Sequence, residues 1–415
     1  MSELLHSSRR PSVSSLGIVR NATATLHKST MNARRRFLTP GPLVQAGKTP
    51  FEVIYQEDIV QLRYYPPLAE SEIEVGDQRL TVTRETYPVP LVLVPPLAVN
   101  MLIYDLFPHR SLVKYLRARG FELYLIDWGQ PGWRQNHFNL ASYFAERMPR
   151  LLAEVRRHSG QQKLSLHGWS LGGVFSLCYS ALGDPDIVNL SLVGAPCDYH
   201  ANGLMGKNYQ LISHSLRWAE QRMGWRVHAT PKRWWRSPGW ANALAFKLTN
   251  PVGSLQSYLE LLRNLHSDEY ITANATTAAF LEDMVAYPGA VIQDIIQYLW
   301  TDNCMAQGKL PGANLNGHLN QVTANLLMVC GKDDPIVTRD CSLAALRHVR
   351  SADRAVLDVA GGHMAVLAGS AAPAEIWPQV ADWLAARSGT ANQPRRTRRT
   401  TRARAASQAP QRKAS

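Results

Sequence analysis

The segment that most constrains the fold is residues 168–173, GWSLGG, together with the apolar runs on either side of it. Residues 163–167 precede it and predict a strand, whereas residues 174–180 follow it and predict a helix. A strand that turns sharply into a helix needs small residues beside the turn, and the glycines meet that need. In such a turn a serine projects its hydroxyl from the helix N-terminus. The segment therefore predicts a strand–turn–helix unit that presents Ser170 as a nucleophile.

Apolar runs that predict buried strands alternate with segments that predict helices through the middle of the chain. The strand runs are residues 91–96, 121–127, 163–167, 187–193, 325–330 and 355–359, and the helical segments are residues 111–119, 151–158, 169–179 and 375–386. Continuous apolar strands that alternate with helices indicate a parallel sheet covered on both faces. With the serine turn, this pattern predicts an α/β-hydrolase fold: a mostly parallel central sheet with helices on both faces.

Between about residues 199 and 316 the strand signal disappears and the chain reads as helical or irregular and rich in tryptophan. Because this stretch interrupts the alternation, we expect a helical lid inserted into the α/β domain. Its tryptophans either form a small core, which we favour, or line an acyl pocket.

Charge divides the chain into three zones. The net charge is +13, yet residues 1–48 carry about +7 and residues 389–415 carry +8, so the middle is slightly acidic. Both ends lack apolar periodicity, and such segments cannot bury a core. We therefore expect a disordered basic arm over 1–48, favoured over an organelle transit peptide, a catalytic domain over 49–388 and a disordered basic tail over 389–415. The basic ends are expected to contact polyanions.

The remaining composition narrows the compartment and the chemistry. The five cysteines form no CxxC pair, which favours ordinary buried thiols and a reducing, cytoplasmic location. No apolar run predicts a transmembrane segment, and no secretory signal is recognised. Without zinc-ligand spacing, a P-loop or a GxGxxG after a strand, we expect no cofactor and no metal.

A serine hydroxyl needs a base to remove its proton, and the base needs an orienting acid. His363 follows a predicted strand and two glycines, which places it where the base is expected. The acid is either Asp333 or Asp334 in the loop after residues 325–330, and Asp334 is favoured because it lies deeper in the loop. The chain order Ser, Asp, His is typical of this fold, and each residue follows a parallel strand.

A negative charge that develops on a substrate oxygen needs backbone N–H donors. Leu171, the residue after the serine, is the first expected donor. The second should come from the loop after residues 91–96. Because the prolines there lack an N–H, the donor must be Leu97 or Ala98, although a purely structural strand end is the alternative.

The chain resembles the polyhydroxyalkanoate synthase family, and its class III branch in particular, from about residue 49 to residue 387. The segments that carry the resemblance are TPFEVIY (49–55), VPPL (94–97), LIDWGQP (125–131), GAPCD (194–198), YLWTDNC (298–304), GKDDPIV (331–337) and GGH (361–363). The resemblance implies that Asp334 and His363 are the catalytic acid and base. It also implies an acyl-CoA substrate and contact with a polyester granule surface.

One position departs from that family, whose polymerases use cysteine where this chain has Ser170. A thiolate is both a good nucleophile and a good leaving group in thioester exchange, whereas a serine ester resembles the intermediate of an esterase. We therefore expect a serine-dependent acyl-transfer enzyme that acts on hydroxyacyl esters or thioesters, with hydrolysis favoured. The alternatives are polymerisation of 3-hydroxyacyl-CoA and, in another class, a non-catalytic granule-associated accessory protein.

Overall fold

A computed structural model describes residues 15–248 and 251–391, and its centre is one eight-stranded sheet. Within these residues the strands are β1 (Glu52–Glu57), β2 (Val60–Tyr65), β3 (Glu72–Val75), β4 (Gln78–Thr81), β5 (Leu91–Val94), β6 (Asp105–Phe107), β7 (Arg110–Ser111), β8 (Leu123–Asp127), β9 (Leu164–Trp169), β10 (Ile187–Val193), β11 (Asn325–Gly331) and β12 (Arg354–Val359).

The helices of the same residues flank the sheet or lie between β10 and β11. The α-helices are α1 (Ser15–Leu38), α2 (Leu112–Ala118), α3 (Met148–Ser159), α4 (Leu171–Ser180), α5 (Gly203–Met223), α6 (Gly239–Leu248), α7 (Pro251–Arg263), α8 (Asp268–Glu282), α9 (Gly289–Asp294), α10 (Arg339–Leu343), α11 (Ala365–Ala368), α12 (Ala372–Glu375) and α13 (Trp377–Ala385). Two π-helical segments are Ser142–Arg147 and Ile295–Thr301. Short 3₁₀ segments are Gly41–Leu43, Met101–Tyr104, Arg134–His137, Tyr199–Ala201, Val227–Ala229, Lys232–Trp234, Cys304–Gln307, Leu319–Gln321 and Ala344–Arg347.

The sheet has the strand order β1-β2-β8-β5-β9-β10-β11-β12. The six neighbouring strands β8-β5-β9-β10-β11-β12 pair in parallel, whereas β1 and β2 add an antiparallel edge next to β8. Successive side chains of a strand point to opposite faces. In β5, Val92 and Val94 accordingly belong to one apolar cluster while Leu91 and Leu93 belong to the other. The fold is therefore the α/β-hydrolase fold expected from the alternating pattern.

Strands and helices of the core lie close to their predicted positions. All six predicted strand runs form strands of the sheet, with bounds shifted by at most a few residues. The pattern missed the antiparallel strands β1 and β2 and the short pairs β3–β4 and β6–β7. The strands β1 to β4 are only partly buried or alternate between buried and exposed residues, and β6 and β7 span only three and two residues, so these strands lack the continuous apolar runs that marked the central strands.

The N-terminal region differs from the expected disordered arm over residues 15–48. Residues 15–38 form α1, whose Lys28 and Arg35 both pair with Asp268 of α8. Farther along, Leu43 is buried and the Gln45 N–H donates to Thr276 Oγ1 at 3.0 Å. The partners lie more than 200 residues away in sequence, and composition cannot reveal such a docking surface. Residues 1–14 of the arm and 392–415 of the tail lie outside the described residues.

The segment between β10 and β11 is the expected helical insertion, and it contains α5 to α9 but no strand in its described part. The favoured expectation for its tryptophans is wrong for Trp218, Trp234 and Trp240, which are each more than half exposed. All five cysteines of the described residues are buried and unpaired. Among residues 15–248 and 251–391, no helix is long and apolar enough to cross a membrane.

Candidate active site

Ser170 lies in the turn between β9 and α4 with a positive backbone φ of 54° and a ψ of −126°. A non-glycine residue in such a conformation costs about 1–3 kcal/mol, which the surrounding structure must offset. The Ser170 N–H donates to the carbonyl of Val193 at 2.8 Å, so β10 holds the turn in place. The turn thereby exposes the serine side chain at the carboxyl edge of the sheet.

The glycines beside the serine are required by close packing. A Cβ on Gly172 would lie 2.0 Å from the carbonyl oxygen of Val94, at the end of β5. A Cβ on Gly168 would lie 2.6 Å from the Cα of Gly173, and one on Gly173 would lie 2.5 Å from the Cβ of Ala195. These contacts hold the first turn of α4 against β5, β9 and the loop after β10, in agreement with the close packing that the sequence pattern predicted.

The three residues that the sequence singled out form one hydrogen-bonded series. His363 Nε2 lies 2.9 Å from Ser170 Oγ, and His363 Nδ1 lies 2.7 Å from Asp334 Oδ2. Both the histidine and the aspartate are buried. Because a carboxylate only accepts hydrogen bonds, we assign the proton to Nδ1, which leaves Nε2 to accept from the serine hydroxyl.

Of the two aspartates that remained open, Asp334 is the one that contacts His363. Its second oxygen, Oδ1, accepts the backbone N–H groups of Ile336 and Val337, both at 2.9 Å. Asp333 is exposed, and its carboxylate instead accepts the Gly361 N–H at 3.3 Å. Two backbone donors and the imidazole together hold the Asp334 carboxylate in one orientation.

The candidate oxyanion donors lie in two adjoining segments. Leu171 is the first residue of α4, so its N–H has no acceptor within the helix. In the loop after β5, Leu97 and Ala98 are buried, and neither N–H has an acceptor among residues 15–248 and 251–391. Ala98 has a φ of 66°, and its carbonyl accepts the Val285 N–H at 3.0 Å. The loop conformation is therefore held by the insertion as well as by the sheet.

Two residues that sequence reasoning did not assign also border the series. The Trp169 indole N–H donates to the carbonyl of His363 at 3.1 Å, and it is buried. Gly194 has a φ of 52°, and a Cβ there would lie 3.3 Å from the His363 ring and 3.5 Å from Asp334 Oδ2. The only available signals were the tryptophan inside the serine turn and a glycine directly after a predicted strand.

The geometry contains the parts that nucleophilic acyl transfer requires. A hydroxyl contacts an imidazole, the imidazole contacts a carboxylate, and backbone N–H groups without acceptors are found directly after the serine, at Leu171, and in the loop after β5, at Leu97 and Ala98. Such an arrangement can move a proton from the hydroxyl to the imidazole while the N–H groups stabilise negative charge on a carbonyl oxygen.

Comparison with known proteins places this geometry in a wider context. A family model described as alpha/beta hydrolase fold matches residues 89–370. The chain is 27% identical over 348 residues to the poly(3-hydroxyalkanoate) polymerase subunit PhaC of Haloferax mediterranei, and the alignment covers 84% of this chain and 66% of that protein. It is 26% identical over 343 residues to the protein of the same name from Allochromatium vinosum, covering 82% and 90% of the two chains.

A solved structure, a soluble variant of monoglyceride lipase from Saccharomyces cerevisiae, is similar with a TM-score of 0.48 and 16% identity, covering 84% of this chain and 97% of that one. The chain spans just under two thirds of the length of the Haloferax protein, and a larger share of the Allochromatium one.

Proposed function

The chain belongs to the alpha/beta hydrolase fold family, and we propose that it is a serine-dependent acyltransferase that builds ester chains from hydroxyacyl thioesters. In this proposal Ser170 is the nucleophile, His363 is the general base and acid, and Asp334 orients the histidine. The observation that carries the proposal is the position of His363, with Nε2 on Ser170 Oγ and Nδ1 on Asp334.

The first half of the reaction forms a covalent acyl-enzyme. Ser170 Oγ attacks the thioester carbonyl carbon while its proton passes to His363 Nε2. Negative charge then develops on the carbonyl oxygen, where the Leu171 N–H and that of Leu97 or Ala98 can stabilise it. As the C–S bond breaks, the departing sulfur takes the proton from Nε2, and the acyl group remains on Ser170 as an ester.

The second half transfers the acyl group to a hydroxyl. His363 Nε2 removes the proton of the acceptor, whose oxygen attacks the serine ester, and Ser170 Oγ leaves with that proton. The acceptor is the hydroxyl of another hydroxyacyl chain in chain building and water in hydrolysis. Because the imidazole serves both equally, the acceptor depends on what the surrounding insertion admits.

Between these two outcomes, the relatives support chain building. Both named relatives are called polymerases, and both align over more than four fifths of this chain. This support replaces the preference for hydrolysis that the serine suggested from sequence alone. By the same similarity, we propose a hydroxyacyl-CoA donor, a polyester granule surface as partner and a cytoplasmic location.

Hydrolysis remains the second candidate because the residue at the turn is serine rather than cysteine. A serine ester exchanges with a thiol less readily than a thioester does, which favours loss of the acyl group to water. A non-catalytic accessory protein is the third candidate, although such a protein has no need of a hydroxyl, an imidazole and a carboxylate in hydrogen-bonding contact.

The test measures CoA release and product size together, using 3-hydroxybutyryl-CoA with the wild type and with Ser170→Cys. Oligomeric ester from the wild type supports the proposal, whereas free 3-hydroxy acid alone overturns chain building in favour of hydrolysis. Labelling by a fluorophosphonate, with Ser170→Ala as the unlabelled control, tests the nucleophile separately. If the wild type shows neither fluorophosphonate labelling nor CoA release, both enzyme candidates fail and the non-catalytic accessory protein is the candidate that remains.

A further inference from the structure

A cavity of about 520 Å³ lies apart from the serine, between the N-terminal helix and the insertion. Its walls come from α1, the β6–β7 region, α6, α7 and α8. The volume is in the range of pockets that enclose small ligands. None of Ser170, Asp334 and His363 lines it, so the reacting groups do not account for it.

The cavity is lined by cations on three separate elements. Arg110 of β7 is half-buried, and none of its nitrogens has a hydrogen-bond or ion-pair partner among the described residues. Its guanidinium lies 4.5 Å from the ring centre of Phe107, and burial lowers its pKa. Arg36 of α1 uses Nε to donate to Asn274 at 2.7 Å, and it has no carboxylate partner in the described part of the chain. Lys247 is a third cation of the lining.

Aromatic and hydroxyl side chains complete the walls. The rings are those of Phe107, Phe246, Tyr258 and Tyr270, and the hydroxyls include Thr277. Guanidinium groups suit phosphate oxygens because they donate several hydrogen bonds in a fixed plane, and aromatic faces suit flat or apolar groups. A single carboxylate, that of Glu282, lies in the lining and opposes an anion.

The cavity adjoins the candidate oxyanion loop through the last turn of α8. Leu281 and Glu282 of that turn line the cavity. Asn100, two residues beyond Ala98, donates its side-chain N–H groups to the carbonyls of Phe280 and Asp283 at 3.3 and 2.9 Å. A ligand in the cavity would therefore lie next to the segment that carries the oxyanion donors.

We infer that this cavity binds a phosphate ester that carries a flat or apolar group, with Arg110 and Arg36 as its anion contacts. Its identity rests on the proposed function: we assign the ligand to the phosphorylated nucleotide end of the acyl-CoA donor. A separate nucleotide that binds the same groups is the other source of this chemistry. The two sources are distinguished by KM for the CoA thioester, which should depend on the cavity only if the nucleotide is part of the donor.

The kinetic test compares two thioesters of 3-hydroxybutyrate, one on CoA and one on N-acetylcysteamine, which lacks phosphate. Arg110→Met should raise KM for the CoA thioester about tenfold, as expected for loss of a charge-assisted hydrogen bond, and leave KM for the other thioester unchanged. Arg36→Gln should act in the same direction, whereas Glu282→Gln should lower KM for the CoA thioester. Arg339→Met, at an exposed arginine paired with Asp358, is the matched control.

The binding test uses calorimetry with ADP on Ser170→Ala, so it does not depend on turnover. ADP binding that weakens about tenfold in Ser170→Ala/Arg110→Met supports the site. If that weakening occurs while KM for both thioesters is unchanged, the ligand is a free nucleotide. Equal ADP affinity in both proteins, with circular dichroism spectra that match, overturns the inference. Failure of the wild type to use either thioester contradicts the proposed function and leaves the calorimetry to decide the cavity.

Discussion

The central sheet and the insertion bury their apolar residues to very different extents. Every residue of β5 and every residue of α4 is buried. In the insertion, by contrast, large apolar side chains of α6 and α7 are exposed, namely Trp240, Leu244, Leu248, Leu255, Tyr258, Leu259 and Leu262. The sheet therefore completes its own core, whereas the insertion leaves apolar surface that the described chain does not cover.

The exposed residues of the insertion have the spacing of a buried helix face. On α6 they recur every four residues, and on α7 they occupy positions i, i+3, i+4 and i+7. Such a stripe normally packs against a core. We therefore expect a rigid sheet that holds Ser170, Asp334 and His363 in position, and an insertion whose packing can change. Four measurements test this difference, in order of decreasing effect.

The largest effect should be chemical and confined to the sheet edge. Ser170→Ala should lower kcat by a factor of about 10⁶, because in the proposed mechanism the acyl group is carried covalently on Ser170 Oγ. The melting temperature should stay near that of the wild type. Ser215→Ala, at an exposed serine of α5, is the matched control and should retain full kcat. A Ser170→Ala enzyme with a tenth of the activity would refute the nucleophile.

The next effect concerns the stability of the sheet layer. Phe175 of α4 is fully buried, stacks on Tyr143 with ring centres 5.6 Å apart and meets Trp128 edge-on at 5.8 Å. Phe175→Ala should lower the free energy of unfolding by about 3–5 kcal/mol, because it removes buried surface and leaves a cavity. Urea denaturation measures the change. A loss below about 1 kcal/mol would mean that this layer is as adaptable as the insertion.

A smaller effect should depend on pH. His167 of β9 is buried, its Nδ1 lies 3.1 Å from Ser191 Oγ, and its Nε2 has no partner among the described residues. Burial lowers its pKa to about 4, so the folded state stays neutral where an unfolded histidine, with a pKa of about 6.5, takes up a proton. The part of the free energy of unfolding that depends on His167 is therefore fully present above about pH 6.5, and it is lost as the pH falls towards 4.

From these two pKa values the loss at pH 5 is about 2 kcal/mol relative to pH 7. Urea denaturation of the wild type and of His167→Gln at both pH values isolates this contribution, since the other histidines are common to both proteins. The variant should lose less stability than the wild type between pH 7 and pH 5. Equal losses would show that His167 does not titrate in this way.

The smallest effect is expected on the open face of the insertion. Leu262→Ala on α7 should change the free energy of unfolding by no more than about 0.5 kcal/mol, because the side chain is mostly exposed already. Leu261→Ala, one position away and buried, is the matched control and should cost about 2–5 kcal/mol. A large loss at Leu262 would indicate that the face is covered in solution, and sedimentation analysis would then identify a second copy.

Sequence alone determined the parts of this protein that depend on local rules. The turn at Ser170 was predictable because a strand, small residues and a helix must follow one another there, and the six core strands were predictable because burial on both faces requires continuous apolar runs. The position of His363 and the loop that carries Asp333 and Asp334 followed from where parallel strands end, whereas the structure decided that Asp334 is the residue that contacts His363. Each of these inferences used residues close together in the chain.

Only the tertiary structure decided what depends on distant partners. The docking of α1 onto α8 joins residues over 200 positions apart. Because no local pattern marks such a distant partner, the basic composition of the N-terminal segment looked like that of a disordered arm. The same reason hid Gly194 and Trp169, whose importance comes from contacts with His363 across the sheet edge. The exposure of the insertion's tryptophans also depended on packing, because an apolar side chain carries no local signal of whether another element will cover it.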